Sequence, residues 1–246
     1  MGLCLYCMQE KPLIRAHLIP RFFFKKIKDN KNRMTSIYNM DIGKALLEQD
    51  AMFDKTILCA QCDNSFSANE KYVSHFLNED FSYLGIPNPS ITTCEKGTTV
   101  HHVGVDTKKL KLFVLATVWR FSISKRHINV SLGPLQDLVL KHLKDGNPGP
   151  PSFFPFAFYS LKKVNDLRAN LISAPVTTKI FGGIAFMIHL HDHFLLVQLT
   201  KNGGRQFESF SCLADTEFEI EEFDTLEGIK ALNDYYGGRL GQTPKW

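Results

Sequence analysis

The residues best placed to do chemistry stand near the front of the chain, in the strings Cys4-Leu-Tyr-Cys7 and Cys59-Ala-Gln-Cys62. Two residues between the cysteines of each pair leave room for a tight turn that brings both thiolates to one ion at about 2.3 Å. Two such pairs supply the four sulfurs of one tetrahedral zinc site. A closed four-sulfur site has no open coordination position for water. Zinc there is structural and stands in for a core that some eighty residues could not build alone.

A second chemistry is written between the pairs. From Lys11 to Arg33 the chain carries Lys11, Arg15, Arg21, Lys25, Lys26, Lys28, Lys31 and Arg33 against the one acid Asp29, with Phe22, Phe23 and Phe24 interleaved. Such a stretch can neutralise phosphates while its aromatics pack inward or stack on bases. A solvated amphipathic turn or helix over a small core would read the same way. His189, His191 and His193 alternate, as a second metal site on one strand face would need, but Asp192 among them points to a turn and exposed hairpin histidines. His101, His102 and His127 have no visible partner and read as surface residues. Trp119-Arg120 reads as a core tryptophan beside an arginine paired to a buried carboxylate or carbonyls, ahead of a phosphate contact.

Elements must hold these residues in place. Glu10 to Phe24 reads as a strand running into a bend, with His17 near its end and Pro20 stopping regular pairing. Asp29 to Gly43 reads as a polar loop. The second cysteine pair is expected at a helix start, with Phe66, Val73 and Leu77 at helical spacing after it. Gly85-Ile-Pro87-Asn-Pro89 marks a break, so the expected division is residues 1–84 and 85–246. Beyond it, Lys108 to Lys125 and Leu135 to Leu143 read as helices. Strands are expected over Phe154 to Leu161, Leu171 to Ile180, Ile184 to Leu190, Phe194 to Thr200 and Glu217 to Phe223, with a short helix over Thr225 to Tyr235. The class is α+β.

Composition bounds what this can be. With 246 residues, 44% of them hydrophobic, the chain can bury one substantial core or two modest ones. The net charge of +4 permits a nucleic-acid partner without requiring one. Six cysteines are few for a disulfide scaffold, and Cys94 and Cys212, outside the pairs, read as free thiols of a reducing compartment. Met1 runs straight into the first pair, leaving no room for a signal peptide, and no apolar run reaches the roughly 20 residues of a membrane span. A cytoplasmic protein without a membrane partner is expected.

The order of cysteine pair, strand bearing His17-Leu-Ile-Pro20, second pair opening a helix, and the polar Asp63 directly after it resembles the HNH, or ββα-metal, endonucleases in their zinc-containing treble-clef form. The resemblance implies that His17 is the general base that activates water against a phosphodiester. It implies that Asp63 holds one Mg²⁺ or Mn²⁺ ion, a site that carboxylate chemistry would rebuild with Asp50 or Glu70, and that Asp54 takes the place of the asparagine that orients the histidine loop. Ala16 stands where the family has a metal-binding acid. A wider likeness runs through Leu13 to Phe22, Gln49-Asp50, Leu58 to Asp63, Phe66, Glu70, Trp119 to Ser124, Leu132-Gly-Pro134 and Gly146 to Gly149. These strings resemble a large group of bacterial proteins with an HNH-like front end, which supports the layout and a bacterial or phage setting but brings no activity with it.

The expected function is therefore a metal-dependent endonuclease, with structural Zn²⁺, catalytic Mg²⁺ or Mn²⁺, and Arg15, Arg21, Lys25, Lys26 and Lys28 on the backbone of nucleic acid, DNA ahead of RNA. Residues 85–246 would supply recognition or regulation, within a phage-defence system or a mobile element. The alternative is a non-catalytic zinc-stabilised module that binds nucleic acid or acts as a protein adaptor, with a protein partner or a second copy of the chain.

Overall fold

The computed structural model describes residues 1–39, 44–48, 52–94, 97–126, 130–164, 172–180, 183–201 and 216–223. The first part of the chain runs through the short strands β1 (Gly2–Leu3), β2 (Glu10–Lys11) and β3 (Ala16–His17), helix α1 (Arg21–Lys25), and strands β4 (Met34–Asn39), β5 (Lys44–Glu48) and β6 (Phe53–Asp54). Helices α2 (Ala60–Asn64), α3 (Ser67–Leu77) and α4 (Phe81–Leu84) follow. Strands β7 (Ser90–Cys94) and β8 (Gly97–Val103) lead to helices α5 (Thr107–Ile123) and α6 (Gln136–Asp145), and then to β9 (Phe156–Ser160), β10 (Val176–Ile180), β11 (Gly183–His189), β12 (His193–Gln198) and β13 (Glu217–Glu222). The class is α+β.

Helix α5 is the hub. Its sequence is a run of Leu, Phe, Val and Ala, opened by the Asp106 side chain, which accepts from the Lys109 N–H at 3.0 Å. From Leu110 through Phe121 every residue is buried, so this helix is core on all sides rather than amphipathic. Each of its fully buried Leu, Val and Phe side chains contributes on the order of 1.5–3 kcal/mol of transfer free energy. Two charges buried with them need partners. The Lys111 ammonium donates to the carbonyls of Pro150 and Pro151, and Arg120 pairs with Glu70 of α3. Helix α6 does show one buried face, with Val139 and Leu143, and ends at Gly146, whose φ of 60° is left-handed and costs glycine little.

A seven-stranded sheet in the order β10-β11-β12-β9-β13-β8-β7 lies against these helices. All neighbours pair antiparallel except β9 and β13, which run parallel. Strands β9 and β12 are buried along their whole length, so both faces of the sheet's centre are covered. One continuous core joins Cys4, Phe23, Leu58, Phe66 and Phe76 to Phe113 and Trp119 of α5 and to Phe158 and Phe218 of the sheet. Residues on either side of Gly85-Ile-Pro87 therefore share their packing.

The structure corrects several expectations. Within the stretch expected to be a loop, β4 forms a strand that pairs antiparallel with β5, Met34 opposite Glu48. The asparagines there hid the β-favouring Thr35, Ile37 and Tyr38. Strands β7 and β8 escape a reading of the sequence for a similar reason, since runs of threonine look polar although their branched side chains suit a pleated backbone. The three alternating histidines do not share a strand face, because His191 has a φ of 63° in the β11–β12 turn. Nor is His193 exposed. It is 2% exposed and pairs with Asp192 at 2.7 Å, while His191 approaches the same carboxylate at 3.2 Å. His102 is buried against Phe76 at 4.8 Å, with its pKa lowered to about 4 by burial, and His101 meets Glu219 at 2.6 Å. The expected helix over Thr225 to Tyr235, Asp50, His127, Cys212 and the Cys94 thiol lie outside the described residues.

Candidate functional site

The two cysteine pairs meet. Leu5 N–H donates to Ile57 O, Ile14 N–H donates to Leu58 O, and Leu13 bridges to Cys59, so backbone pairing draws the two knuckles together. Met8 closes the first turn with a left-handed φ of 57°. The second pair straddles the start of α2, with Cys59 as its N-cap and Cys62 inside its first turn. The four sulfurs of Cys4, Cys7, Cys59 and Cys62 lie within 4.8 Å of one another. A zinc ion bonded at about 2.3 Å needs sulfur separations of roughly 3.8 Å, so the set fits the metal after a small contraction.

Electrostatics point the same way. Burial opposes a Cys4 thiolate, but N–H groups of Cys7, Cys59 and Tyr6 aimed at the sulfur outweigh it and bring the pKa down to about 6. Burial pushes the Cys62 thiol the other way, helped by the three sulfurs crowded around it. A divalent cation at the centre resolves that conflict by balancing several thiolates at once. Four cysteines are thus positioned to bind a metal ion such as zinc.

Beside this cluster, β3 and β6 form a two-stranded ribbon in which Ala16 faces Asp54 and His17 faces Phe53. Leu18 N–H donating to Met52 O extends the pairing. Residues directly opposite on an antiparallel ribbon project to the same side. Asp54 therefore leaves the ribbon on the side away from the half-buried His17. Its Oδ1 accepts from Thr56 N and Oγ1 at 2.8 and 2.7 Å, and its Oδ2 accepts from Ser124 Oγ at 2.7 Å. Burial alone would raise its pKa, but these hydrogen bonds and the nearby Arg126 hold it below the usual carboxylate range. The carboxylate ties the turn that leads into Cys59 to the end of α5.

Asp63, in α2, looks toward α5. Burial raises its pKa, the Arg120 guanidinium acts against that, and Glu70 adds to it. Arg120 itself is 1% exposed, meets Glu70 Oε1 at 2.7 Å and lies 5.3 Å from the centre of the Phe66 ring. A guanidinium thus sits with the two carboxylates that a hard cation would want. Among the described residues, only the four cysteines gather three or more donors at coordinating distance.

The basic stretch is divided. Arg21 and Lys25, at the two ends of α1, are exposed while Phe23 and Phe24 are buried. Lys26 is drawn to Asp192 at 3.3 Å, Lys28 is half-buried, and Arg33 forms a close pair with Asp29. Arg15 lies across the Phe53 ring at 4.4 Å. Three further cations gather there that the basic stretch between the cysteine pairs does not contain. Lys55 and Arg126 stand 5.9 and 5.0 Å from the same ring, and Lys125 lines the cleft beside it. Lys125 and Arg126 come from just past the end of α5, some seventy residues away in sequence, and the one local hint is the polar Ser-Lys-Arg that follows an apolar helix.

No protein-family model, curated protein or solved structure matches the chain. Among the described residues no helix is long and apolar enough to cross a membrane.

Proposed function

We propose that the chain is an HNH-type endonuclease that cleaves phosphodiester bonds of nucleic acid, with His17 as its general base. The carrying observation is the order of parts around His17. A cysteine pair precedes a strand bearing the imidazole, an antiparallel second strand returns beside it, and a helix opening with the second pair follows. That succession is the one expected of a zinc-bearing treble clef with a ββα-metal site.

In this reading zinc fixes the two knuckles and does no chemistry. His17, with an imidazole pKa ordinarily near 6.5, takes the proton of a water as its oxygen attacks phosphorus and the bond to the leaving oxygen breaks. Asp54 acts at one remove, by fixing the turn between β6 and Cys59. A hard cation in such enzymes offsets charge on the phosphate. Asp63 and Glu70 are its candidate donors among the described residues, and Arg120 acts on both. Arg15, Arg21 and Lys25 would hold the backbone electrostatically, and the sheet-bearing part of the chain would select the substrate.

The arrangement of Asp63, Glu70 and Arg120, together with Ala16 in place of an acid, supports a second reading in which the module binds nucleic acid without cutting it. One experiment separates the two. Purified protein with zinc intact is incubated with plasmid, single-stranded DNA and RNA, with Mg²⁺ and with Mn²⁺, beside a His17→Ala control. Cleavage lost in the control supports the nuclease. Binding with no cleavage under any condition supports the second reading.

A further inference from the structure

Lys55, Lys125 and Arg126, in the cleft around Phe53, have no role in the proposal above. It is lined by Phe53, Asp54, Lys55, Thr56, Lys125 and Arg126, and Arg15 lies across its aromatic wall. Four cations, Arg15, Lys55, Lys125 and Arg126, are exposed at its rim. Among the described residues that line it, the one acid is Asp54, at its floor, with both oxygens already engaged by Thr56 and Ser124. Like charges gathered about one ring repel one another, and water screens them only in part. A folded chain tolerates such a cluster at a cost, and the binding of an anion removes it.

Geometry sets the kind of anion. Arg126 is fixed in place, since its Nη1 donates to the Phe53 carbonyl at 2.9 Å and its N–H reaches Ser124 Oγ at 3.3 Å. A guanidinium held against an aromatic ring still turns its remaining N–H edges outward, and a planar fork of donors suits a phosphate oxygen pair. Lys55 and Lys125 are mobile point charges that can follow successive phosphates. His17 stands directly opposite Phe53 on the ribbon, so the aromatic wall of the cleft projects on the same side as the imidazole. We infer that Lys55, Lys125 and Arg126, with Arg15, form a phosphate clamp around Phe53 that holds a nucleic-acid strand alongside His17. This deepens the proposed function and rests on nucleic acid being the ligand, although it does not require cleavage.

The test uses the full chain with zinc bound. Fluorescent single-stranded DNA, duplex DNA and single-stranded RNA are titrated by anisotropy over a range of salt, with a polyglutamate peptide as a competing polyanion of another class. The Lys55→Glu/Lys125→Glu variant alters two exposed side chains and should melt like the parent. Its affinity for nucleic acid should fall at least tenfold, and the slope of log affinity against log salt should become shallower by about one to two, one for each phosphate no longer neutralised. A Lys141→Glu/Lys179→Glu variant, with the same change in net charge at exposed positions elsewhere, should keep the parent's slope. Equal weakening in both variants would overturn the clamp by reducing it to net charge. No binding by the parent, or tighter binding of polyglutamate than of every nucleic acid, would overturn it too. Binding by the parent that depends on Lys55 and Lys125, without any cleavage, would sustain the clamp while removing the nuclease. Cleavage indifferent to both residues would do the reverse.

Discussion

Replacing Arg120 with Met tests how the metal module is fastened to the central helix. The guanidinium is 1% exposed and 2.7 Å from Glu70, with Asp63 near both. At that separation and an effective dielectric constant near 20, the attraction is roughly 6 kcal/mol, while burying each ion costs several kcal/mol. The intact pair is therefore close to neutral in net stability, but losing one partner leaves a buried charge uncompensated and costs about 3–5 kcal/mol. Methionine keeps the volume, which isolates the charge effect. Urea denaturation at saturating zinc should show that loss for Arg120→Met, and the double variant Arg120→Met/Glu70→Met should recover most of it. The pH dependence gives an independent sign. Burial already raises the Asp63 pKa, and removing Arg120 withdraws the one influence that lowers it. A carboxyl whose folded pKa lies above its unfolded value is a liability above the folded pKa, and the liability fades as pH falls toward the unfolded value, about 3.9 for Asp. The deficit of the single variant should shrink on acidification from pH 7. A loss under about 1 kcal/mol, or a deficit that grows with acid, would refute the placement of these three side chains in one buried group.

Further outcomes follow from the same geometry. Elemental analysis should find one zinc per chain, and Cys59→Ser should lose the metal and unfold the part around the knuckles, since structural zinc binding is worth on the order of 10 kcal/mol; native melting of that variant would contradict a structural site. Asp54→Asn should cost about 1–3 kcal/mol at pH 7, from weakening the hydrogen bonds of Thr56 and Ser124 to a buried charge. Because the folded pKa of Asp54 is held low, its contribution is present above the unfolded value near 3.9 and disappears as pH falls through the folded one, so the parent and the variant should converge in melting temperature in strong acid. Divergence there would mean that Asp54 is not the ionised anchor described. The Lys55→Glu/Lys125→Glu variant, read by anisotropy, should lose nucleic-acid affinity at least tenfold with its fold intact.

What the sequence made legible was whatever depends on local spacing. The two C-x-x-C pairs predict a four-sulfur cluster because a two-residue turn leaves its cysteines few other common uses. The apolar run ending in Trp119 predicts a helix and, through Arg120, a buried ion pair. Other features depend on chain segments meeting from far apart. The company of Asp63 was hidden because Arg120 arrives from α5, and the cations around Phe53 because Lys125 and Arg126 follow that helix. The hairpin of β4 and β5 and strands β7 and β8 were obscured by asparagine and threonine, whose polarity masks a backbone preference. His102 and His193 read as surface residues because burial of an imidazole depends on which sheet closes over it.

The central claim is that His17 carries proton transfer at a phosphodiester. The most direct measurement compares cleavage rates of the parent and His17→Ala on the substrate that the parent cuts, at matched zinc content and matched melting temperature. The account predicts a loss of roughly 10²-fold or more with zinc and stability almost unchanged. A His17→Ala variant that cuts as fast as the parent, or that loses activity in proportion to lost stability, would contradict it.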